Sequence, residues 1–266
     1  MNLTPIKIKT NGIALSCTVE GEGPWVVMSH SLACDSGMWD EQAGALAVHY
    51  KVLRFDTRGH GASDAPPGPY SFDMLTDDAH GLLQALGIGR CHWVGLSMGG
   101  MIGQMYALKY PGVFVTLMLA DTASRYGPEV RPVWEQRIKT AREQGMQALV
   151  EPTLERWFTE PYRKAHPQTM TRVGAMIRKT PVAGYAGCCA AIPELDVSAR
   201  LKTVACPTLV LVGEQDAATP VATARELHQS IPGSELTVIP SAAHLSNVEQ
   251  AEIFTSAILA FLRKHR

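Results

Sequence analysis

The stretch that most limits how this chain can fold is an unbroken apolar run, Cys91 to Leu96, that turns abruptly into a helix and must stop before Pro111. The turn is Gly95-Leu96-Ser97-Met98-Gly99. A strand reversing sharply into a helix forces its turn residue into strained backbone and pushes that side chain into the open. The residues two before and two after must be small, because the two backbones nearly touch there. Gly95 and Gly99 meet that need, and Gly100 and Gly103 continue a small helix face. Ser97 then stands at the positive end of a helix, where negative charge is tolerated.

The flanking chain predicts an α/β fold: a mostly parallel central sheet with helices on both faces and an inserted helical cap. Residues 5–10 and 13–20 read as a hairpin joined at Asn11-Gly12. Strands are expected over 25–28, 51–55 and 113–119, with helices over 38–47 and 72–86. From 125 to 195 no strand is evident, and helical periodicity is expected to break at Pro152, Pro161, Pro167, Pro181 and Pro193. This segment carries eleven Lys/Arg against seven Asp/Glu, and the remainder thirteen against eighteen. The basic bias marks it as a distinct unit. The expected division is a core of 1–124 and 196–266 with a cap of 125–195. Alternation then resumes: strand 208–212, helix 221–230, strand 235–239 and a closing helix over about 248–264.

A serine hydroxyl needs a base to take its proton and a carboxylate to orient that base. Strand 208–212 runs into GEQDAATP and strand 235–239 into PSAAHL. Both are loops at the carboxyl ends of strands, where open α/β sheets place their sites. Asp216 and His244 are therefore the expected partners of Ser97, with Asp121 a reserve acid. His92 and His228 fall within regular elements, and His49, His166 and His265 lack a strand-end setting. Acyl transfer also needs donors for an oxyanion. The backbone N–H of Met98 and that of Leu32, in the loop after strand 25–28, are the candidates. His30, Asp56, Arg58, His60 and Ser63 read as a hydrogen-bonded loop that braces the site.

Charge and apolar patterning exclude other classes. The net charge of −1 offers no basic stripe for nucleic acid. No apolar run reaches membrane-spanning length, and no signal-peptide core opens the chain, so a cytoplasmic protein is expected. The six cysteines show no Cys-x-x-Cys spacing and read as buried reduced thiols. No metal and no cofactor is expected.

With these residues placed, the chain resembles the α/β-hydrolases along its whole length, through His30-Ser31-Leu32, the Asp56-to-Asp64 loop, GLSMGG, GEQDAATP and AAHLSN. Within them it is most similar to the 3-oxoadipate enol-lactonases of bacterial aromatic-ring degradation. That likeness is carried by SLACDSGMWD, FDTRGHGASDAPPGPYSFDML, GLSMGGMIGQ, LADTASRYG with VWEQRI, ERWF and AGYAGCCAAI. One departure is Ser31, where many relatives carry glycine, which narrows backbone freedom beside the oxyanion loop. The resemblance implies hydrolysis of a small anionic lactone through an acyl-enzyme on Ser97. The substrate carboxylate then needs a cation. Arg137 is expected to pair with it and Trp134, three residues earlier on the same helix face, to wall the pocket. Trp157 and the segment Tyr185 to Ala191 are further pocket candidates, with packing within the cap the favoured reading of both. The same triad would serve a broad esterase, a carbon–carbon bond hydrolase, a perhydrolase, or a hydrolase-fold ligand receptor that retains it.

Overall fold

The computed structural model describes residues 4–265. Eight strands form one sheet: β1 (Ile6–Thr10), β2 (Ile13–Glu20), β3 (Trp25–Ser29), β4 (Lys51–Phe55), β5 (Cys91–Leu96), β6 (Phe114–Ala120), β7 (Thr208–Gly213) and β8 (Glu235–Ile239). Their order is β1-β2-β4-β3-β5-β6-β7-β8. Only β2 runs against the rest, being antiparallel to both β1 and β4. The β1–β2 turn places Asn11 and Gly12 at φ 45° and 77°. That is the two-residue hairpin that Asn-Gly favours.

Parallel strands covered on both faces should be apolar throughout. β5 and β7 are buried at every position. The layers over them are α1 (Asp40–Leu46), α2 (Phe72–Ala85), α3 (Met98–Lys109), α9 (Val221–Ser230), α10 (Ser246–Glu249) and α11 (Ala251–Lys264). The helix expected over 38–47 is instead a short 3₁₀ turn, Ser36–Trp39, capped by the Asp35 carboxylate, followed by α1. The single closing helix is divided in two at Gln250, which has φ −127° and ψ 56°. Its first piece is tied to the site, as described below.

Between β6 and β7 the described residues hold no strand. They form α4 (Arg131–Gln144), α5 (Gln147–Trp157), α6 (Glu160–Ala165), α7 (Pro167–Lys179) and α8 (Val182–Ala191). Pro161 and Pro167 sit in first helical turns, where no N–H is missed, and Pro181 is an N-cap. Pro152 departs from expectation: it lies inside α5 without ending it. A bridge between Arg125 and Asp196 closes the neck of this insertion.

Candidate active site

Among the described residues, four non-glycine residues outside the hairpin have positive φ: Ala33 (60°), Ser97 (54°), Asp121 (46°) and Ser241 (51°). They follow β3, β5, β6 and β8 respectively, all on the carboxyl edge of the sheet. Such conformations cost of order 1–3 kcal/mol each and persist only where the surroundings over-determine them. The surroundings do so at Ser97. A Cβ on Gly95 would lie 2.2 Å from the Gly99 carbonyl oxygen, and one on Gly99 would lie 2.1 Å from that of Ser29. The Thr122 hydroxyl donates to the Ser97 carbonyl at 2.7 Å. Only glycine permits this approach of strand to helix, and the approach holds the serine at its strained φ.

Asp216, after β7, is buried and fully engaged. Its Oδ1 accepts from the N–H groups of Ala218 (2.7 Å) and Thr219 (3.0 Å). Its Oδ2 accepts from the Thr219 hydroxyl (2.6 Å) and from His244 Nδ1 (2.8 Å). Burial acts to raise its pKa, but His244 and the Thr219 donors outweigh burial and hold it below the usual carboxylate value. With Nδ1–H committed to Asp216, His244 Nε2 is left as the proton acceptor. Among the described residues no hydrogen bond joins that nitrogen to Ser97. Both side chains line one cavity, and apo geometry of this kind is commonly loose.

Asp121 lies beside this pair, within reach of Asp216, and has donors of its own. It accepts from the Gly213 N–H at 2.7 Å and from the Ser246 hydroxyl. Burial, and then repulsion by the Asp216 charge, push its pKa well up. Two carboxylates this close are driven apart in acidity, and Asp216 keeps the charge.

Two backbone N–H groups beside the site have no internal acceptor among the described residues. Ser31 N–H donates to Met38 Sδ (3.3 Å), Ala33 N–H to His60 Nε2 (3.0 Å) and Cys34 N–H to the Ser31 carbonyl (3.1 Å). Leu32, between them, has no such internal acceptor among the described residues. Met98 is the first residue of α3, so its N–H has none within the helix. The left-handed residue of this loop is Ala33, so Ser31 brings no backbone strain.

The loop bracing comes from two neutral histidines. His30 Nε2 accepts from Thr57 N–H (2.9 Å), so its Nδ1–H donates to the Ser31 carbonyl (2.7 Å). His60 accepts from Ala33 and donates through Nδ1 to the Arg58 carbonyl (3.2 Å). Burial lowers the pKa of both, that of His60 to about 3 with the nearby His30 adding to it. Asp56 accepts from the N–H groups of Ser36 (2.8 Å) and Ala62 (2.9 Å), and Arg58 is paired with buried Asp78 at 2.6 Å.

The cavity measures about 190 Å³, below the ~300–1,000 Å³ of pockets for drug-sized ligands. Leu32, Ser97 and His244 form its floor, and Trp134, Arg137, Arg156, Trp157 and Tyr185 from the insertion form its roof. Trp157 and Tyr185 therefore line the site as well as pack the insertion. The Trp157 ring lies 6.1 Å from that of His244, centroid to centroid. The Arg137 guanidinium stacks on Trp134, 4.4 Å from the ring centroid.

Sequence reasoning missed Arg156 and Tyr126, which line the cavity, and Glu249, which does not touch it. Buried Glu249 accepts from Ala243 N–H (2.8 Å), next to His244, and from the N–H (3.1 Å) and hydroxyl of Thr159 in the insertion. Leu245 N–H donates to the Trp157 carbonyl (3.1 Å), a second tie between the histidine loop and the insertion. No spacing rule could join residues ninety positions apart.

Among the described residues no cluster of three or more His, Cys, Asp or Glu is arranged to hold a metal, and no helix is long and apolar enough to cross a membrane. All six cysteines are unpaired, five of them buried.

The sequence profile of the alpha/beta hydrolase fold family matches residues 24–251, and the chain belongs to that family. It is a hydrolase. It is 35% identical to 3-oxoadipate enol-lactonase 2 of Acinetobacter baylyi, over 95% of this chain and 94% of the relative. The crystal structure of the enol-lactonase from Burkholderia xenovorans superposes with a TM-score of 0.93 at 39% identity, covering 97% of this chain and 100% of the other. A malate-bound thermophilic esterase from Thermogutta terrifontis also reaches 0.93, at 33% identity, covering 99% and 100%.

Proposed function

We propose that the protein hydrolyses 3-oxoadipate enol-lactone to 3-oxoadipate, a step of bacterial aromatic-compound degradation, through an acyl-enzyme on Ser97. One observation carries the reading: a histidine already bonded to a buried ionised aspartate shares a small cavity with a serine held at a strained strand–helix turn. His244 takes the Ser97 proton as the hydroxyl attacks the lactone carbonyl. The Leu32 and Met98 N–H groups receive the oxyanion. The ring oxygen leaves as an enol, which becomes a ketone. His244 then activates water to release the acyl group. Asp216 fixes the imidazole tautomer. The core, 1–124 and 196–266, supplies the chemistry. The cap, 125–195, selects the substrate, with Trp134 walling the pocket and Arg137 facing the substrate carboxylate. The enol-lactonase relatives support the substrate and the cavity volume supports its size.

The test follows loss of the enol-lactone absorbance with wild type, Ser97→Ala and Arg137→Ala. Ser97→Ala is expected to lose about 10⁴- to 10⁶-fold in kcat. Arg137→Ala is expected to cut kcat/KM on the anionic lactone at least about tenfold more than on an uncharged aryl ester. No turnover of the enol lactone by wild type rejects the substrate, and equal losses on both compounds reject the pairing. A wider carboxylesterase is the second reading, favoured by the likeness to the thermophilic esterase. Aryl esters turned over faster than the lactone would support it.

A further inference from the structure

The roof of the cavity holds two guanidinium groups, Arg137 from α4 and Arg156 from α5. Among the described residues neither forms an ion pair with a carboxylate. Arg137 makes no internal hydrogen bond there and rests on the Trp134 face. Arg156 makes two long ones, to the Pro152 carbonyl and to the Thr153 hydroxyl, both 3.4 Å and both within its own helix. Most of its five donors are uncommitted. The acids of α5, Glu151 and Glu155, are exposed and paired with neither. Asp216, a buried carboxylate whose charge reaches Arg156, is spent on His244 and Thr219.

Like charges brought together and partly desolvated are costly unless an anion joins them. The strain registers on Arg156, whose pKa falls to about 10, first through burial and then through the Arg137 charge. A site with two unpaired guanidiniums above a small apolar-walled cavity is built for an anion that is not part of the protein. Arg137 is already half-satisfied by stacking. Arg156, with no aromatic face or acid to satisfy it, has more to gain.

We propose that Arg156 is the principal anchor of a two-arginine clamp that grips a carboxylate of the ligand, with Arg137 the lesser partner. The clamp restricts the enzyme to short esters and lactones that bear a free carboxylate, and it gives affinity for short dicarboxylates, whose second carboxylate reaches the Leu32 and Met98 N–H groups. This rests on the acyl-transfer reading of the cavity but not on which lactone is hydrolysed.

Isothermal titration with adipate, and with its neutral diamide as control, reads the clamp without turnover. Adipate is expected to bind wild type at least about tenfold more tightly than the diamide. Arg156→Ala should weaken adipate binding about 10- to 100-fold, Arg137→Ala by less, and Arg156→Lys by an intermediate amount. Arg156→Gln, which keeps the side-chain length, gives the same reading should the alanine variant unfold. No adipate binding, equal binding of the diamide, or an Arg156→Gln protein that binds adipate as wild type does would each overturn the proposal. An active lactonase without adipate preference removes the clamp alone. Arg156-dependent adipate binding in a protein inert toward the enol lactone removes the lactonase reading alone.

Discussion

Two unlike walls face each other across the cavity. On the core side the groups that orient the site are answered from within: Asp216 accepts four hydrogen bonds, and His30 and His60 each use both ring nitrogens. On the insertion side Arg137 and Arg156 have no acidic partner among the described residues. A closed network fixes geometry, because each group has one satisfied position. An open one waits for a ligand. On the proposed reading, the sheet edge carries the reaction chemistry and the inserted helices choose the substrate. Glu249 links the two, holding Thr159 on one side and Ala243 on the other.

The largest test of this contrast compares Asp216 with Asp121, the buried carboxylate beside it. Asp216→Asn is expected to lower kcat about 10⁴-fold, since the amide can no longer hold the imidazole in its working tautomer. Asp121→Asn, aimed at Gly213 and Ser246, should cost less than about tenfold. Equal losses in steady-state rates would show that the pair acts as one unit. Next in size is Gly95→Ala, whose Cβ would meet the Gly99 carbonyl at 2.2 Å. Overpacking against backbone predicts a loss of about 3 kcal/mol or more in urea unfolding. A variant as stable as wild type would refute the tight strand–helix contact.

Acid sharpens the picture of the closed network. His60 is held at about 3 when folded, while unfolded histidine titrates near ~6.5. Below about pH 6.5 the unfolded chain binds a proton that the folded chain refuses. Stability therefore falls as pH drops, by about 2 kcal/mol between pH 7 and pH 5 from His60 alone. His30, lowered in the same direction, adds to it. Urea midpoints at the two pH values measure this, and a flat profile would mean that these rings take up protons as readily in the fold as in the unfolded chain. The smallest effect is expected at the link. Glu249→Gln keeps the shape but weakens charge-assisted bonds, costing about 1–2 kcal/mol of stability. It should also lower kcat several-fold by loosening the His244 loop. Loss of stability without any change in kcat would make Glu249 a structural brace only.

Local rules reached a long way into this chain. The Asn11-Gly12 hairpin, the continuous apolar strands and the glycine-flanked turn at Ser97 follow from backbone sterics and burial, which act over a few residues. Pro152 inside α5 and the break at Gln250 escaped those rules, because packing and tertiary hydrogen bonds overrode local preference there. Trp157 and Tyr185 were legible as pocket candidates, but apolar helix positions favoured packing, and only the fold put them on the cavity wall.

What the sequence alone determined is the order of strands and helices, and the presence of a serine, an aspartate and a histidine at three strand ends. Periodicity and turn chemistry suffice for that. Only the tertiary structure decided that the reserve acid Asp121 is committed to Gly213 and Ser246 and that Arg156 joins Arg137 over the serine. Only it decided that Glu249 bridges the two regions. Charges couple through space, and the distances that rank them exist only once the chain has closed on itself.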